Sequence, residues 1–354
     1  MNPDSKELAA KLATYLGAPL SSFRILAGGW ETTVFEFNLA GVSSRLRDVP
    51  ISQPLVLRFY QASHADDKAT REAATMRLMA DIGYPVPRPY LFEPDHDPIG
   101  APFLIMERVA GRPLFSIASF PIAFKTFSLG FIAFVRAQTR LHRIRPNGSI
   151  RLDSMPQAFR TSSGPNTAPL LQRVLKTIDD RIEQGPLPGL QDALSRLREC
   201  VSRFCPGPET LVHLDYHPQN VLVRGPRVTG VIDWVNADHG DRYLCAATTA
   251  VILSSSAMEQ PRWMRDNVVG NSLRALFASL YVPLYNSLAP MDLARFRFAQ
   301  GVAALLRLSM FGMMRLRGPE SVGFRPEAGT NVTPAVVRLL SRYTSRKIGV
   351  EVSI

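Results

Sequence analysis

Leu211-Val212-His213-Leu214-Asp215-Tyr216-His217-Pro218-Gln219-Asn220-Val221-Leu222-Val223 is followed, after a turn at Arg224–Arg227, by Val228-Thr229-Gly230-Val231-Ile232-Asp233-Trp234. Three polar side chains, Asp215, Asn220 and Asp233, stand in an otherwise apolar, strand-forming context. Asp215 and Asn220 share one loop, and Asp233 ends the second apolar run. If the two runs pair as a ribbon, Asp233 returns beside Asn220. A carboxylate and an amide oxygen side by side are hard oxygen donors suited to Mg²⁺. A second carboxylate on the same loop can take the proton of a hydroxyl. An isolated Asp-x4-Asn reads as a pair of turn residues. Three further features point to chemistry instead: the histidine two positions before the Asp, the strand after the Asn, and the Asp that closes the second strand.

Outward from this stretch, the 354 residues divide by pattern. Phe23–Ala27, Thr33–Leu39 and Leu55–Phe59 are short aromatic and β-branched runs, the first two separated by Gly28-Gly29. Residues 64–82 have helical spacing through Ala69, Ala73, Met76 and Met79, stopped by Gly83 and Pro85. Pro89–Phe92 and Pro102–Met106 read as strands. From about residue 123 the pattern turns helical, over 123–144, 168–184, 189–204, 243–257, 270–287, 291–316 and 333–343, with an island of strand at Val221–Arg224 and Val228–Ile232. Asp4-x-x-Glu7 before Leu8, Leu12 and Leu16 predicts a capped amphipathic helix at the start. The expected fold is α+β and bilobal: a small antiparallel-sheet lobe over 1–107 and a larger, mainly helical lobe over 108–354 that holds the catalytic loop. A cleft between two such lobes is a common ligand site.

Composition narrows the classes. An apolar fraction of 46% with 20% charged residues is globular. Forty-one basic residues against thirty acidic give a net charge of +11, which fits nucleic acid, a membrane surface or phosphate-bearing ligands. No zinc-finger or aromatic–basic RNA signature is present, so nucleic acid is not expected as a partner. Phe115 to Val135 carries one charge but is broken by Pro121 and Gly130, so a loop plus a buried helix is expected there rather than a membrane span. Cys200, Cys205 and Cys245 make neither a disulfide framework nor a zinc site, and the N-terminus has no secretory apolar core. The expected compartment is the cytoplasm; oligomeric state is not legible.

His-x-Asp-x-His-Pro-x-Asn-Val-Leu, then Gly-Val-Ile-Asp-Trp, resembles the aminoglycoside phosphotransferase family, the small-molecule branch of the kinase-like superfamily. The resemblance runs in order from about residue 20 to 315. It implies a bilobal protein-kinase-like fold and transfer of the γ-phosphoryl group of ATP, with GTP as the other donor, to a hydroxyl of a small molecule. It also implies roles. Asp215 is the catalytic residue; Asn220 and Asp233 hold Mg²⁺. Gly28, Gly29, Thr32 and Thr33 belong to a turn whose backbone N–H groups cover the phosphates. Arg58 stands where protein kinases have a strand lysine, with Glu72 on the next helix as its ion-pair partner. Glu107 and Val109 belong to the hinge that holds the adenine edge. His142 and His213 are expected to be structural, and His217 either to approach the acceptor or to orient the loop. Relatives place an Asp where this chain has Cys245, so bracing of the catalytic loop is expected to fall partly to Asp241.

The acceptor is read from charge. From Trp234 onward there are fourteen basic and eight acidic residues. A polycation prefers an acidic pocket, so a neutral or anionic acceptor is expected. Aromatic and Met residues over 258–314 would suit a partly apolar one, unless they are helix core. The competing reading is a non-catalytic nucleotide-binding protein of the same fold, motivated by Arg58 and Cys245.

Overall fold

In β3 (Leu55–Tyr60) every residue is buried, so alternation sorts its side chains between two interiors. Leu55, Leu57 and Phe59 enter an apolar cluster with Phe35 and Phe37 of β2 (Thr32–Leu39) and Leu12 and Leu16 of α1 (Pro3–Leu16). Val56 and Tyr60 enter the other cluster, with Ala69, Ala73, Met76 and Met79 of α2 (Ala65–Asp81). Arg58 shares the parity of Val56 and Tyr60, so it faces α2. β1 (Leu20–Gly28), β4 (Pro89–Glu93) and β5 (Phe103–Glu107) complete an antiparallel sheet ordered β1-β2-β3-β5-β4, with β3 at its centre.

The computed structural model describes residues 3–28, 32–51, 53–61, 65–114, 120–145, 169–204, 207–255 and 268–354. Beyond β5 the chain is mainly helical: α3 (Phe120–Leu141), α4 (Leu170–Gln184), α5 (Gln191–Val201), α6 (Arg242–Ser255), α7 (Val268–Leu288), α8 (Leu293–Arg317) and α9 (Pro334–Ile348). Two small sheets interrupt them. β6 (Arg112–Pro113), β8 (Val221–Arg224) and β9 (Arg227–Val231) form one, and β7 (Glu209–Val212) pairs with β10 (Asp238–Asp241) in the other. The result is a bilobal, kinase-like α+β fold. α8 starts at Asp292, whose carboxylate accepts from the N–H groups of Ala294 and Arg295.

The strands and helices expected from the pattern all form within a few residues of their expected limits; α1 forms too, but it already includes Pro3, so Asp4 lies inside the helix and does not cap it. β6, β7 and β10 were not expected. Among the described residues no helix is long and apolar enough to cross a membrane; residues 115–119 of the apolar stretch lie outside them. Phe277, Tyr281, Tyr285, Phe296 and Phe311 are buried in the helical core, so their apolarity belongs to packing and not to an acceptor. Trp263 lies outside the described residues.

Candidate active site

β7 feeds the loop that β8 leaves, and β9 runs back beside β8 to a second turn. The Ile232 N–H donates to the Asn220 carbonyl at 2.9 Å, which sets Asp233 next to the Asn220 end of the loop. Leu214 and Asp233 have φ of 57° and 68°, in the left-handed region. For residues other than glycine this costs about 1–2 kcal/mol each and persists only where surrounding contacts impose it. His213 is one such contact. Its Nε2 donates to the Ile232 carbonyl at 3.0 Å and its Nδ1 accepts from the Asp215 N–H at 3.3 Å. Both bonds require the neutral Nε2–H tautomer, and burial pushes the His213 pKa down in agreement. One fully buried imidazole thus ties the two turns together.

Asp215 lies between His213 and Asn220, with its side chain 28% exposed. The Asn220 Nδ2 donates to the Asp215 carbonyl at 3.0 Å and to its Oδ2 at 3.2 Å. His217 Nε2 stands 3.5 Å from the same Oδ2, while its Nδ1 accepts from the Gln219 N–H. His217 thus stands beside the Asp215 carboxylate. Burial pushes the Asp215 carboxyl up, but His217, Arg307 and His213 outweigh it and hold the pKa at about 2.

Arg58 reaches across the cleft. Its Nε lies 2.8 Å from Glu72 Oε2, and its Nη2 donates to Asp233 Oδ1 at 2.6 Å. Glu72, 0% exposed, also accepts from the Tyr60 hydroxyl at 2.5 Å and from the Trp234 N–H at 3.0 Å. Burial lifts the Glu72 pKa against the pull of Arg58. Burial also opposes the Arg58 charge, yet Asp233 and Glu72 hold its pKa above the ordinary value. β3, α2 and the Asp233 turn are thereby fixed to one another.

The 213–220 loop is braced differently from the expectation. Asp241 pairs with Arg295 of α8 and caps the Tyr243 N–H, and does not reach the loop. Thr249 of α6 donates instead to the Tyr216 carbonyl at 2.7 Å. Gln138 Nε2 donates to Thr249 Oγ1 at 2.8 Å, and Tyr281 donates to Gln138 Oε1 at 2.6 Å. Cys245 is fully buried; burial pushes its thiol up, opposed by hydrogen bonds from the backbone of Leu214 and His213. A neutral network from three helices replaces the single carboxylate.

The remaining expected residues lie on the sheet side. Gly28 pairs with Thr33 across β1 and β2; Gly29 lies outside the described residues. Thr32 is buried. Thr33 Oγ1 donates to Gln61 Oε1 and accepts from Arg325 Nη1, each at 3.1 Å. At the end of β5, the Glu107 N–H is taken by the Arg88 carbonyl at 2.9 Å, and its carboxylate accepts from the Arg88 N–H. The Val109 carbonyl accepts from Arg108 Nη1 at 2.7 Å. Two cations near the site were not singled out from sequence. Arg325 sits 292 positions from Thr33, a separation that carries no local signal. Arg307 did have a signal: it is the one charge in the apolar run Val302–Phe311.

The residues fit a magnesium–phosphate complex. Asp233 Oδ2 and Asn220 Oδ1 hydrogen-bond to no described residue, and both are hard oxygens. No cluster of three or more His, Cys, Asp or Glu assembles among the described residues. The protein would therefore supply part of the coordination and a bound phosphate group the rest, as Mg²⁺ sites of this type do.

The Phosphotransferase enzyme family (APH) matches residues 22–267. A structure of a putative aminoglycoside phosphotransferase from Ralstonia eutropha JMP134 superposes with a TM-score of 0.60 at 17% identity, covering 96% of this chain and 98% of that one. Macrolide 2'-phosphotransferase type I gives 0.59 at 15% identity over 96% and 97%. A ternary complex of a thermostable mutant of aminoglycoside phosphotransferase APH(4)-Ia with AMP-PNP and hygromycin B gives 0.55 at 17% identity over 94% and 98%. These likenesses concern the fold. Acyl-CoA dehydrogenase family member 11 from Pongo abelii, and its counterpart from Homo sapiens, are 25% identical over 170 residues, 46% of this chain. The match spans about a fifth of the length of those curated relatives. With the family match covering well over half the chain and the kinase-like fold extending to nearly all of it, the chain belongs to the aminoglycoside phosphotransferase family.

Proposed function

We propose that the protein moves the γ-phosphoryl group of ATP, or of GTP, to a hydroxyl of a small molecule. In this reading residues 1–107 bind the nucleotide and residues 108–354 the acceptor. The observation that carries it is the convergence of Asp215, Asn220 and Asp233 on two facing turns, with Arg58 and Glu72 locked against them. The acceptor oxygen forms a bond to the γ-phosphorus as the bond to the bridging oxygen breaks, and ADP leaves. The hydroxyl proton goes to Asp215. A carboxylate held at about pKa 2 is a weak base. Its main work is therefore to orient the hydroxyl, and it receives the proton once the oxygen has become acidic in a loose transition state. Asn220 Oδ1 and Asp233 would hold Mg²⁺, which when bound supplies charge neutralisation on the phosphate oxygens. Gly28, Thr32 and Thr33 lie toward the phosphates, and the Glu107 carbonyl and Val109 N–H face the adenine edge. Two free thiols, Cys200 and Cys245, support a reducing compartment, the cytoplasm.

Asp215→Asn tests the assignment. Phosphorylated product, read by mass, disappears, while nucleotide at 100 times its Kd still stabilises the fold by about 2.7 kcal/mol. Full turnover by the variant sinks the assignment. A non-catalytic nucleotide-binding protein is the second reading, favoured by the hold of Arg58 on Asp233. A nucleotide-induced thermal shift with no ATP consumed across a broad panel of hydroxyl acceptors selects it.

A further inference from the structure

The positive charge of this chain is not spread evenly. Residues 108–152, 216–232 and 267–291 hold eleven Lys and Arg and no Asp or Glu, which is the whole net charge of +11. Arg58 is not among the eleven, so the cluster of Arg58, Glu72 and Asp233 does not use this surplus. The described parts of the three stretches are neighbours in space. Val223 of β8 lies against α3 at Gly130, where an added Cβ would stand 3.3 Å from a Val223 methyl. α3 in turn meets α7 through Phe131–Phe277 and Phe134–Tyr281, with ring centres 6.4 and 6.5 Å apart.

Two kinds of side chain face outward here. Lys125, Leu129, Ile132 and Arg136 are exposed and recur at helical spacing, so they form one stripe of α3. Leu276, Leu280 and Pro283 form another on α7. The ring contacts show that the two helices run in the same direction. At about 100° per residue, a position just after a contact on one helix and positions just before contacts on the other project to the same side. Ile132 follows Phe131, and Leu276 and Leu280 precede Phe277 and Tyr281, so these aliphatic groups share a face. Leu129, Ile132, Leu276 and Leu280 are 47%, 48%, 47% and 46% exposed. Beside them a groove of about 350 Å³ opens between α3 and the β8–β9 turn, lined by Arg112, Lys125, Leu129, Val223 and Arg224 and by no carboxylate. Arg112, Lys125 and Arg224 are all exposed, and none has an ion-pair partner among the described residues.

Aliphatic groups and unpaired cations on one face suit a partner that is apolar and negatively charged at adjoining depths. A bilayer of anionic phospholipid is such a partner. Leucines enter its acyl boundary, while Lys and Arg stems lie along that boundary and their heads reach the phosphates. A second copy of the chain fits less well, because a two-fold contact sets these cations opposite themselves. No described helix is long and apolar enough to cross a membrane, so the face would lie on one.

We propose that the α3–α7 face docks the protein on an anionic phospholipid membrane. Leu129, Ile132, Leu276 and Leu280 enter the acyl boundary, and Arg112, Lys125 and Arg224 hold headgroup phosphates in and around the groove. None of these residues belongs to the candidate active site, so the proposal stands or falls apart from the phosphotransferase reading.

Flotation of the full chain tests it, with vesicles of phosphatidylcholine alone and of phosphatidylcholine with an equal part of phosphatidylserine. The wild type floats with the anionic vesicles only, and added salt weakens the binding. The triple variant Arg112→Gln, Lys125→Gln, Arg224→Gln lowers the partition constant by about 100-fold, at about fivefold per charge. The pair Leu276→Ser, Leu280→Ser lowers it by about tenfold. All five positions are exposed, so both variants melt with the wild type. A control triple, Arg77→Gln, Arg338→Gln, Arg342→Gln, removes the same charge from exposed positions on α2 and α9 and loses far less. No flotation of the wild type, or an equal loss in the control, overturns the inference. Charge-dependent binding that the leucine pair leaves untouched also overturns it, because the cations then fit an acidic protein or a nucleic acid as well as a bilayer.

Discussion

Arg58 shows how much one side chain can hold in this fold. Its two arms reach a helix and a turn that are 14 and 175 residues away in opposite senses of difficulty: Glu72 is local, Asp233 is not. Glu72 has no exposure at all, so without Arg58 it is a buried carboxylate with only the Tyr60 hydroxyl and the Trp234 N–H for company. Arg58→Ala is therefore expected to destabilise the protein by about 3–5 kcal/mol, read from urea midpoints. Arg58→Lys, which keeps a charge but loses the two-armed reach, should lose less. An alanine variant as stable as wild type would show that the pair does not hold the lobe. The Arg58–Glu72 contact was legible only through the family resemblance, and the structure supplies its physical reason: both side chains point inward from β3 and α2. The contact with Asp233 was not, because spacing says which residues share a loop but not how a carboxylate is turned.

Elements were legible where their own periodicity decides them. β3 and α2 carry alternation and 3.6-residue spacing strong enough to stand alone. β10 reads Asp238-His239-Gly240-Asp241, with no strand-forming residue, and becomes a strand only because β7 pairs with it from Val212↔Asp238 to Glu209↔Asp241. The end of α3 offers a quantitative test of how helices set chemistry. His142 follows α3 by one residue, its Nδ1 2.6 Å from the Tyr285 hydroxyl of α7, its Nε2 buried without a partner. Burial, helped by Arg242 at the start of α6, pushes its pKa down to about 3. The unfolded chain binds this proton near pH 6.5 and the folded chain refuses it until about pH 3. Stability from this group is thus complete above pH 6.5 and falls as pH drops through that window, by about 1.4 kcal/mol per unit. Between pH 7.5 and 5.0, wild type should lose about 2 kcal/mol more than His142→Leu. His213 and His239 are shifted the same way but remain in both proteins, so the difference isolates His142. Equal losses in the two proteins would mean that His142 is protonated in the fold.

At the scale of the molecule, the two lobes are not separate cores joined by a hinge. Val56, Tyr60, Leu104 and Met106 of the sheet and Ala73 and Met76 of α2 belong to the same apolar cluster as the buried residues of α6 and α8. Polar contacts cross the same boundary. The Val231 N–H donates to the Pro85 carbonyl at 2.7 Å, Tyr84 to the Ala137 carbonyl at 3.1 Å, and Arg325 to Thr33. Trp234 stands at this junction with no exposure, its indole N–H on the Val231 carbonyl and its ring against His213 and Tyr84. Chains of this size often unfold in steps, because lobes with separate cores lose them independently. A shared core argues for the opposite here. Exposing either lobe's side of the junction removes apolar contacts from both and separates Arg58 from Asp233. In the Trp30→Phe, Trp263→Phe protein, Trp234 is the only indole. Its red shift in urea should share one midpoint with the loss of far-UV circular dichroism, and the added substitution Arg58→Ala should move both midpoints down together. A Trp234 transition that precedes the dichroism change would mean that the lobes part before they unfold, and that the contacts across the cleft position the site without stabilising it.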